Sequence, residues 1–445
     1  MPSRRSFLQS TAAVATCLAT GNAAGAQPST NGQDKLPPAI AALPNQRSRA
    51  VPIAFAERQH RIERARELMR ASNLEAIAIT TGASLTYFTG LHWGQSERLF
   101  AFVLPRTGSP FIVCPAFEEP RVRERMTANP PTLSAETRIL VWQEDQNPYD
   151  LLAAALREAG VATGRVGSDT GGGATRGSFG VDEHTAFVFA DGVARALPAL
   201  SVVSATPVTA GCRMTKSPAE LALMQLANTV TLAVYEATYK SLEPGMTNHQ
   251  VERLIGAAYM QCGFSGEASC EVGPNSAVPH GTLQPQTIAA SEIILLDDGC
   301  SVEGYQSDIS RSFVLGRATA EQNHVFDVVH QAQAAAVAAA RPGIPCEAID
   351  AAARKVISDA GFGPGYRTFT HRLGHGIGLD GHEWPYLVGG NTLPLARGMC
   401  FSDEPGIYLP GKFGIRLEDD WHVTETGGQF FTQPSPSLEH PFATA

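Results

Sequence analysis

The sequence predicts a mixed α/β protein with two domains, an N-terminal α/β domain and a C-terminal domain built from two related halves. The chain has 445 residues, which is longer than one hydrophobic core usually supports. Helical patterns alternate with short apolar runs in the first half, as expected for α/β architecture. A turn-and-helix pattern then occurs twice in the second half.

The composition is that of an ordinary globular protein. Hydrophobic residues make up 43% of the chain and charged residues 17%, which provides enough apolar material for sizeable cores and excludes a largely disordered chain. The net charge is -9. Nucleic acids and anionic membranes favour basic surfaces, so neither is expected as a partner. A small or neutral ligand fits better.

The first residues resemble a twin-arginine export signal. The pair Arg4-Arg5 precedes an apolar stretch from Thr11 to Thr20, and a small-residue cleavage pattern ends at Ala26. The alternative is a disordered basic N-terminus, which would not require these features in this order. Residues 1–26 are therefore predicted to be a cleaved signal peptide, and the mature protein is expected in the periplasm or the medium.

No stable membrane anchor is expected in the mature chain. No later segment is long and apolar enough to span a bilayer. Cys17 follows Thr16, where a lipoprotein signal would have a smaller residue. The other seven cysteines are scattered without a C-x-x-C pair, so they predict buried thiols rather than a disulfide framework.

The first folded domain is predicted over residues 50–210. Residues 27–49, rich in Pro, Asn, Gln, Ser and Ala, are interpreted as a flexible lead-in. A charged helical pattern follows over residues 57–71. Three apolar runs that predict strands cover residues 74–80, 100–104 and 111–114.

The second domain is predicted over residues 211–440, after a boundary near residues 209–217. Pro218 stands at the start of a long helical pattern. The turn at Pro244-Gly245 recurs at Pro342-Gly343, 98 residues later, and each is followed by a helical pattern that ends in Gly-Phe. Two related α/β halves are therefore expected, with a ligand cleft where they meet.

Two aspartates follow a strand-like apolar run in the first half. The run Ile293–Leu296 leads directly into Asp297, and Asp308 lies 11 residues further along. Carboxylates that directly follow a buried apolar strand are costly to bury unless a cation is present. A plain strand end followed by a polar turn is the alternative, and this pair alone does not exclude it.

Three histidines lie close together in the second half. His371, His375 and His382 occur in a glycine-rich stretch of the sequence. Glycine permits close backbone approach to a ligand, and imidazole is a common ligand for divalent metals. The spacing is not that of the helical H-E-x-x-H zinc motif.

Two acidic motifs complete the candidate set, Glu404 in Glu-Pro-Gly-Ile-Tyr and Glu418 in Gly-Ile-Arg-Leu-Glu-Asp. Arg416 and Glu418 alternate with apolar residues, so they are expected on one face of a strand. Glu418 could then bind metal while Arg416 holds an outer oxygen of a ligand carboxylate. An ordinary ion pair on a solvated strand is the alternative.

These motifs together resemble the pita-bread metallopeptidases, the group that contains aminopeptidase P, prolidase and methionine aminopeptidase. The resemblance covers roughly residues 212–430 and includes all five ligand positions of that family in order. The N-terminal half is similar, more weakly, to the domain of aminopeptidase P, prolidase and creatinase, through residues 84–90 and 96–98. The predicted ligands are Asp297, Asp308, His375, Glu404 and Glu418.

The resemblance also implies roles for individual residues. Asp308 and Glu418 would bridge two divalent cations, Asp297 would hold one of them, and His375 with Glu404 would hold the other. Glu404 would also move a proton. His280 and His382 match the family's substrate-binding histidines and are predicted to be catalytic. Manganese is the favoured metal, with cobalt or zinc as alternatives.

The implied activity is exopeptidase cleavage of the Xaa-Pro bond in dipeptides or short peptides. The alternative is a metal-dependent hydrolase or lyase of the same fold that acts on a non-peptide small molecule. A metal-free binding protein is a third interpretation, and it would predict a missing ligand. The expected partner is a small peptide, and a homodimer is one expected assembly because dimers are common in the family.

Overall fold

The computed structural model describes residues 35–128, 131, 133–134, 137–161 and 177–442. The predicted signal peptide and the first part of the lead-in lie outside these ranges. The described residues from Pro38 onward form one compact unit. Among them, no helix has both the length and the apolar character needed to cross a bilayer.

The last part of the predicted lead-in is structured, which differs from the flexible segment expected over residues 27–49. A short helix α1 covers Pro38–Ala41, and a 3₁₀ turn covers Arg47–Arg49. Ile40 is completely buried, and the backbone N–H of Gln46 donates to the carbonyl of Cys262 at 2.8 Å. One buried apolar side chain and one backbone hydrogen bond therefore anchor the last part of this segment.

The N-terminal domain contains one six-stranded mixed sheet. Its strands lie in the order β4-β3-β2-β1-β5-β6. The β1–β2 and β2–β3 pairs are antiparallel and the other three pairs are parallel. The strands are β1 Leu74–Ile79, β2 Ala101–Pro105, β3 Phe111–Pro115, β4 Arg138–Trp142, β5 Ser178–Val181 and β6 Ser201–Ser204.

Both faces of this sheet are covered. Along β1, Ile77 and Ile79 pack into the core on one face, and Ala76 and Ala78 pack into the core on the other. This alternation follows from the period of two in a strand. The helices of the domain are α2 Phe55–Ala71, α3 Gly82–Thr89, α4 Glu119–Met126, α5 Pro148–Glu158, α6 Phe187–Ala196 and α7 Thr206–Arg213.

The second domain contains two helix pairs related by the predicted 98-residue repeat. They are α8 Pro218–Tyr239 with α9 Asn248–Cys262, and α10 Ala320–Ala339 with α11 Cys346–Asp359. Gly245 and Gly343 occupy the equivalent turns with φ of 96° and 90°, a region that strongly favours glycine. The repeat in the sequence therefore corresponds to a repeated helix-turn-helix unit.

The strands of the second domain form four small sheets with the orders β11-β10-β7, β12-β9-β8, β14-β13-β15-β18-β19 and β16-β17. All their pairs are antiparallel. The strands are β7 Ser265–Gly266, β8 Ser269–Val272, β9 Ile293–Asp297, β10 Cys300–Val302, β11 Tyr305–Gln306, β12 Arg311–Val314, β13 Gly374–Gly376, β14 Glu383–Leu387, β15 Cys400–Asp403, β16 Gly406–Leu409, β17 Phe413–Arg416, β18 Asp419–Val423 and β19 Gly428–Phe430.

The two domains have separate hydrophobic cores that meet near the predicted boundary. Cys212 packs with the N-terminal core, whereas Met214 packs against the C-terminal core. The predicted boundary at residue 210 falls inside α7. The chain passes from one core to the other slightly later, between Cys212 and Met214 at the end of that helix. The exact domain bounds stay a prediction.

The seven cysteines from Cys114 to Cys400 are all buried free thiols.

Candidate metal site

All eight residues singled out in the sequence line one cleft of about 620 Å³ in the second domain. The acidic donors lie at strand ends. Asp297 is the last residue of β9, Glu404 directly follows β15, and Glu418 directly precedes β18. Asp308 lies between β11 and β12. The remaining four are His280, His375, His382 and Arg416.

Two glycines allow the donor segments to approach one another. A Cβ atom on Gly299 would lie 2.1 Å from the carbonyl oxygen of Ser307, and a Cβ atom on Gly374 would lie 2.1 Å from that of Ser402. Such contacts do not occur, so only glycine fits at either position. Gly299 thus permits the chain carrying Asp308 to pass beside Asp297, and Gly374 permits β13 to pair closely with the strand that leads to Glu404.

The donor atoms form overlapping groups of three in which all atoms lie within 4.8 Å of one another. Asp297, Asp308 and Glu418 form one group, and His375, Glu404 and Glu418 form another. A third group contains Asp308, His375 and His382. The first two groups share Glu418 and together contain every ligand predicted from the sequence.

The carboxylates of this cleft repel one another when no cation lies between them. Burial, together with neighbouring carboxylates, raises the pKa of Asp308 and of Glu418 well above the usual range. Burial also raises the pKa of Glu404, to about 8. Such a group of buried oxygen donors with one imidazole fits a divalent cation, which would supply the missing positive charge.

The imidazole of His375 is oriented to bind a divalent cation. Its Nδ1 lies 3.1 Å from the carbonyl oxygen of Gly376, which can only accept, so Nδ1 carries the proton. Nε2 then has a free lone pair, and it lies 3.7 Å from Asp308 and 3.5 Å from Glu404. Burial lowers the pKa of His375 to about 3, which keeps the ring neutral. A neutral, fixed imidazole is the form that binds metal.

Arg416 holds the carboxylate of Asp297 in place. Its guanidinium forms an ion pair with Asp297 and donates to the hydroxyl of Ser310 at 2.9 Å. Burial opposes charge on Asp297, but Arg416 and the Ser310 hydrogen bond outweigh it and lower the pKa of that carboxyl. The prediction that Arg416 and Glu418 share one strand face is wrong, because β17 ends at Arg416 and Glu418 lies between β17 and β18.

Sequence analysis did not assign roles to His371, Arg372 or Tyr408, although all three lie in its motifs. Arg416 donates to the hydroxyl of Tyr408 at 3.0 Å, and that hydroxyl lies 2.7 Å from Nε2 of His371. Nδ1 of His371 lies 2.8 Å from the carbonyl oxygen of Arg372. These partners fix one direction for the protons, from Arg416 through Tyr408 to His371.

Arg372 fixes the tautomer of His382. Its guanidinium donates to Nδ1 of His382 at 3.1 Å, so the proton of a neutral His382 is on Nε2. The ring of His382 stacks on that of His375 with 3.7 Å between the centroids. Burial and Arg372 lower the pKa of His382, which favours this neutral form with an Nε2–H donor.

Family profiles match both domains. The family described as Metallopeptidase family M24 matches residues 222–425, and the one described as Creatinase/Prolidase N-terminal domain matches residues 61–215. The Mycobacterium tuberculosis protein named probable dipeptidase PepE is 35% identical over 80% of this chain and 89% of its own length. The Xaa-Pro dipeptidase of Lactobacillus helveticus is 31% identical over 85% of this chain and 98% of its own length.

Solved structures of similar proteins agree in fold. The dipeptidase PepE from Mycobacterium ulcerans has a TM-score of 0.77 and 32% identity, covering 87% of this chain and 99% of that one. The prolidase from Thermococcus sibiricus has a TM-score of 0.73 and 28% identity, covering 86% and 98%. The family uses divalent metal ions, in agreement with the donor groups of the cleft. The chain therefore belongs to Metallopeptidase family M24, with an N-terminal domain of the creatinase/prolidase type.

Proposed function

We propose that the protein is a dinuclear metal-dependent exopeptidase that hydrolyses the Xaa-Pro bond of dipeptides. The observation that carries this proposal is the pair of donor groups that share Glu418 and contain all five predicted ligands. Manganese is the favoured metal, with cobalt and zinc as alternatives. When bound, two such cations supply an activated water and a Lewis acid for the scissile carbonyl.

Residues of the cleft supply proton transfer, stabilisation of the developing negative charge and substrate binding. The carboxylate of Glu404 takes a proton from the attacking water and returns it to the departing nitrogen. The Nε2–H of His382 donates to the substrate oxygen that gains negative charge in the transition state. His280, which lines the same cleft, binds the substrate. Arg416 keeps Asp297 charged and in place through their ion pair.

Arg372 favours a dipeptide over a longer peptide. It lines the cleft, and among the described residues no carboxylate lies within ion-pair distance of its guanidinium, which stacks on Tyr386 and contacts His382. The other wall of the cleft is acidic. A dipeptide carries its own carboxylate one residue after the scissile bond, and Arg372 is the cation that would bind it.

Preference for proline rests on the relatives and on the chemistry of the bond. Relatives named Xaa-Pro dipeptidase cover most of the chain. A bond to proline has no N–H to donate, so a site shaped around the ring accepts what ordinary aminopeptidases reject. The alternative is a hydrolase or lyase of the same fold that acts on a small non-peptide molecule. Histidines on the cleft wall beside a complete donor set favour peptide hydrolysis.

A substrate panel on the manganese-loaded mature protein tests this proposal. We expect rapid release of free amino acids from Ala-Pro and slow release from Ala-Pro-Ala, Ala-Ala and acetyl-Ala-Pro. The acetyl group removes the free amino end, which we expect a metal or a nearby carboxylate to bind. Rapid turnover of Ala-Pro-Ala would instead support an aminopeptidase P activity. Turnover of none of the four would favour the small-molecule alternative.

The variant Arg372→Gln tests the selection of dipeptides. A charge-assisted hydrogen bond contributes roughly 1.5–3 kcal/mol, so KM for Ala-Pro should rise about 10- to 100-fold. Ala-Pro-amide lacks the carboxylate, so its hydrolysis should fall much less, only by what the lost contact with His382 costs. The matched control is Arg367→Gln, since Arg367 is an exposed arginine of the same segment whose guanidinium donates to the carbonyl of Gly361. An equal loss on both substrates would show that Arg372 acts through His382 and not on the carboxylate.

The export signal is tested in the producing cell. If Arg4 and Arg5 direct the folded precursor across the membrane, changing both to lysine should retain the protein in the cytoplasm with residues 1–26 uncleaved. Cell fractionation and N-terminal sequencing measure both effects, with Gln27 expected as the first residue of the wild-type protein. An unchanged amount outside the cytoplasm would contradict the assignment of a twin-arginine signal.

A further inference from the structure

The loop that carries His382 is closed by one buried carboxylate. This loop, residues 377–382, connects β13 to β14, and Glu383 is the first residue of β14. The side chain of Glu383 is 2% exposed, and its Oε1 accepts from the backbone N–H groups of Leu379 at 3.0 Å and Asp380 at 3.1 Å. Because His382 directly precedes Glu383, contacts that hold this carboxylate also restrain the backbone at His382, whose ring stacks on that of His375.

Two buried cations hold the carboxylate from outside the loop. Lys216 forms a 3.1 Å ion pair with Glu383 Oε2, and both side chains are 2% exposed. The guanidinium Nε of Arg213 lies 3.8 Å from Oε1. Arg213 ends α7 and Lys216 precedes α8, so both belong to the segment that joins the two domains. A carboxylate buried to this extent is costly without such partners.

Arg213 extends this contact into the N-terminal domain. Its Nη1 lies 3.1 Å from Asp380 in the loop, and its Nη2 lies 3.0 Å from Glu183, between β5 and α6. His184 lies beside the same loop, with Nε2 3.4 Å from Asp380. Thr209 in α7 donates to the other oxygen of Glu183 at 2.8 Å. A chain of charges therefore runs from the N-terminal domain to the loop of His382.

We propose that Glu183, Arg213 and Lys216 are positioning residues that set the place of His382 in the cleft. The proposal rests on the proposed catalytic role of His382 and gives the N-terminal domain a part in the reaction. None of the three side chains lines the metal cleft. They act through Glu383 and Asp380. If the network served only to attach the domains, its loss would not depend on whether His382 is present.

A double-mutant cycle separates these two roles. Glu183→Gln and Arg213→Gln are each made in the wild-type chain and in His382→Ala, and hydrolysis of Ala-Pro is measured on the full-length, manganese-loaded mature protein. A displacement of about 1 Å at a reacting group costs up to roughly 100-fold. We expect kcat to fall about 10- to 100-fold in the wild-type background with KM little changed, because His382 acts on the transition state. In His382→Ala, neither substitution should lower kcat more than about twofold.

Two controls keep the result interpretable. Glu303→Gln removes another ion pair between distant segments, the exposed Arg47–Glu303 contact, and should leave kcat unchanged. Arg213→Lys keeps the charge and should restore part of the activity lost in Arg213→Gln. If Arg213→Gln does not fold, Glu183→Gln carries the test, since its side chain is 28% exposed and tolerates the change better.

The proposal is overturned if the losses are equal in both backgrounds, or if neither substitution changes kcat. A second measurement does not depend on activity. In a crystal structure of Glu183→Gln or Arg213→Gln, the ring of His382 should leave the 3.7 Å stack on His375, and a retained stack would also overturn the proposal. Failure of the wild-type protein to hydrolyse Ala-Pro would instead contradict the proposed function, and the crystallographic comparison would still test the positioning.

Discussion

Replacing Glu418 with alanine should abolish hydrolysis of Ala-Pro and remove bound metal. Glu418 is the residue that both donor groups share, so its loss takes one oxygen ligand from each. Metal ions contribute several kcal/mol of transition-state stabilisation, and each 1.4 kcal/mol is tenfold in rate. We therefore expect kcat/KM to fall by at least about 1,000-fold. Elemental analysis and kinetics on the same preparation measure the two losses together.

Loss of activity in this variant should not reflect loss of folding. Without metal, the carboxylate of Glu418 is buried beside Asp308, Glu404 and Asp297, which disfavour its charge. Its removal should leave the melting temperature of the metal-free protein unchanged or raise it. The increase in melting temperature on adding manganese should disappear, because that increase measures binding to the folded state.

A chelator should give the same loss in the wild-type protein, and manganese or cobalt should restore activity. Glu425→Ala is the matched control, since Glu425 is an exposed carboxylate of the same region that forms an ion pair with the exposed Arg397. It should retain its metal and its activity. Full metal content with undiminished hydrolysis in Glu418→Ala would remove the proposed site.

The donor residues could be predicted as a set because their motifs occur in the order that the pita-bread metallopeptidases show, whereas single motifs left a structural alternative open. An apolar run that ends in a carboxylate, as at Asp297, indicates a charge carried by a buried strand. Glycines beside a histidine, as at Gly374, indicate close backbone approach to a ligand. Both signals are local, so they can be read without knowing the fold, and the structure brings all eight predicted residues to one cleft.

What the sequence could not provide are contacts between distant segments. Lys216 and Glu383 are 167 residues apart, and no local pattern indicates their ion pair. The lead-in was interpreted from its composition, which does not weigh a single buried side chain such as Ile40. The spacing of Arg416 and Glu418 suggested a continuous strand, whereas the chain leaves one sheet and enters another between them.

Arg311 should be among the residues on which the stability of the second domain depends most. Its guanidinium is fully buried and forms a 2.6 Å ion pair with the equally buried Asp419. It also donates to the carbonyls of Ser310, Glu418 and Gln433 at 2.8–3.1 Å. A substitution that removes this group leaves the buried carboxylate of Asp419 without its cation and takes one donor from each of the three carbonyls.

Arg311→Met should therefore lower the free energy of unfolding by about 3–5 kcal/mol, the usual cost of breaking a buried ion pair by removing one partner. The double variant Arg311→Met/Asp419→Leu removes both charges and should recover part of that loss. The measurement is chemical denaturation of the metal-free protein, with exposed Arg397→Met as the control. If the double variant is as unstable as the single one, the uncompensated charge of Asp419 is not the cause, and the loss reflects packing and the three carbonyls that Arg311 holds.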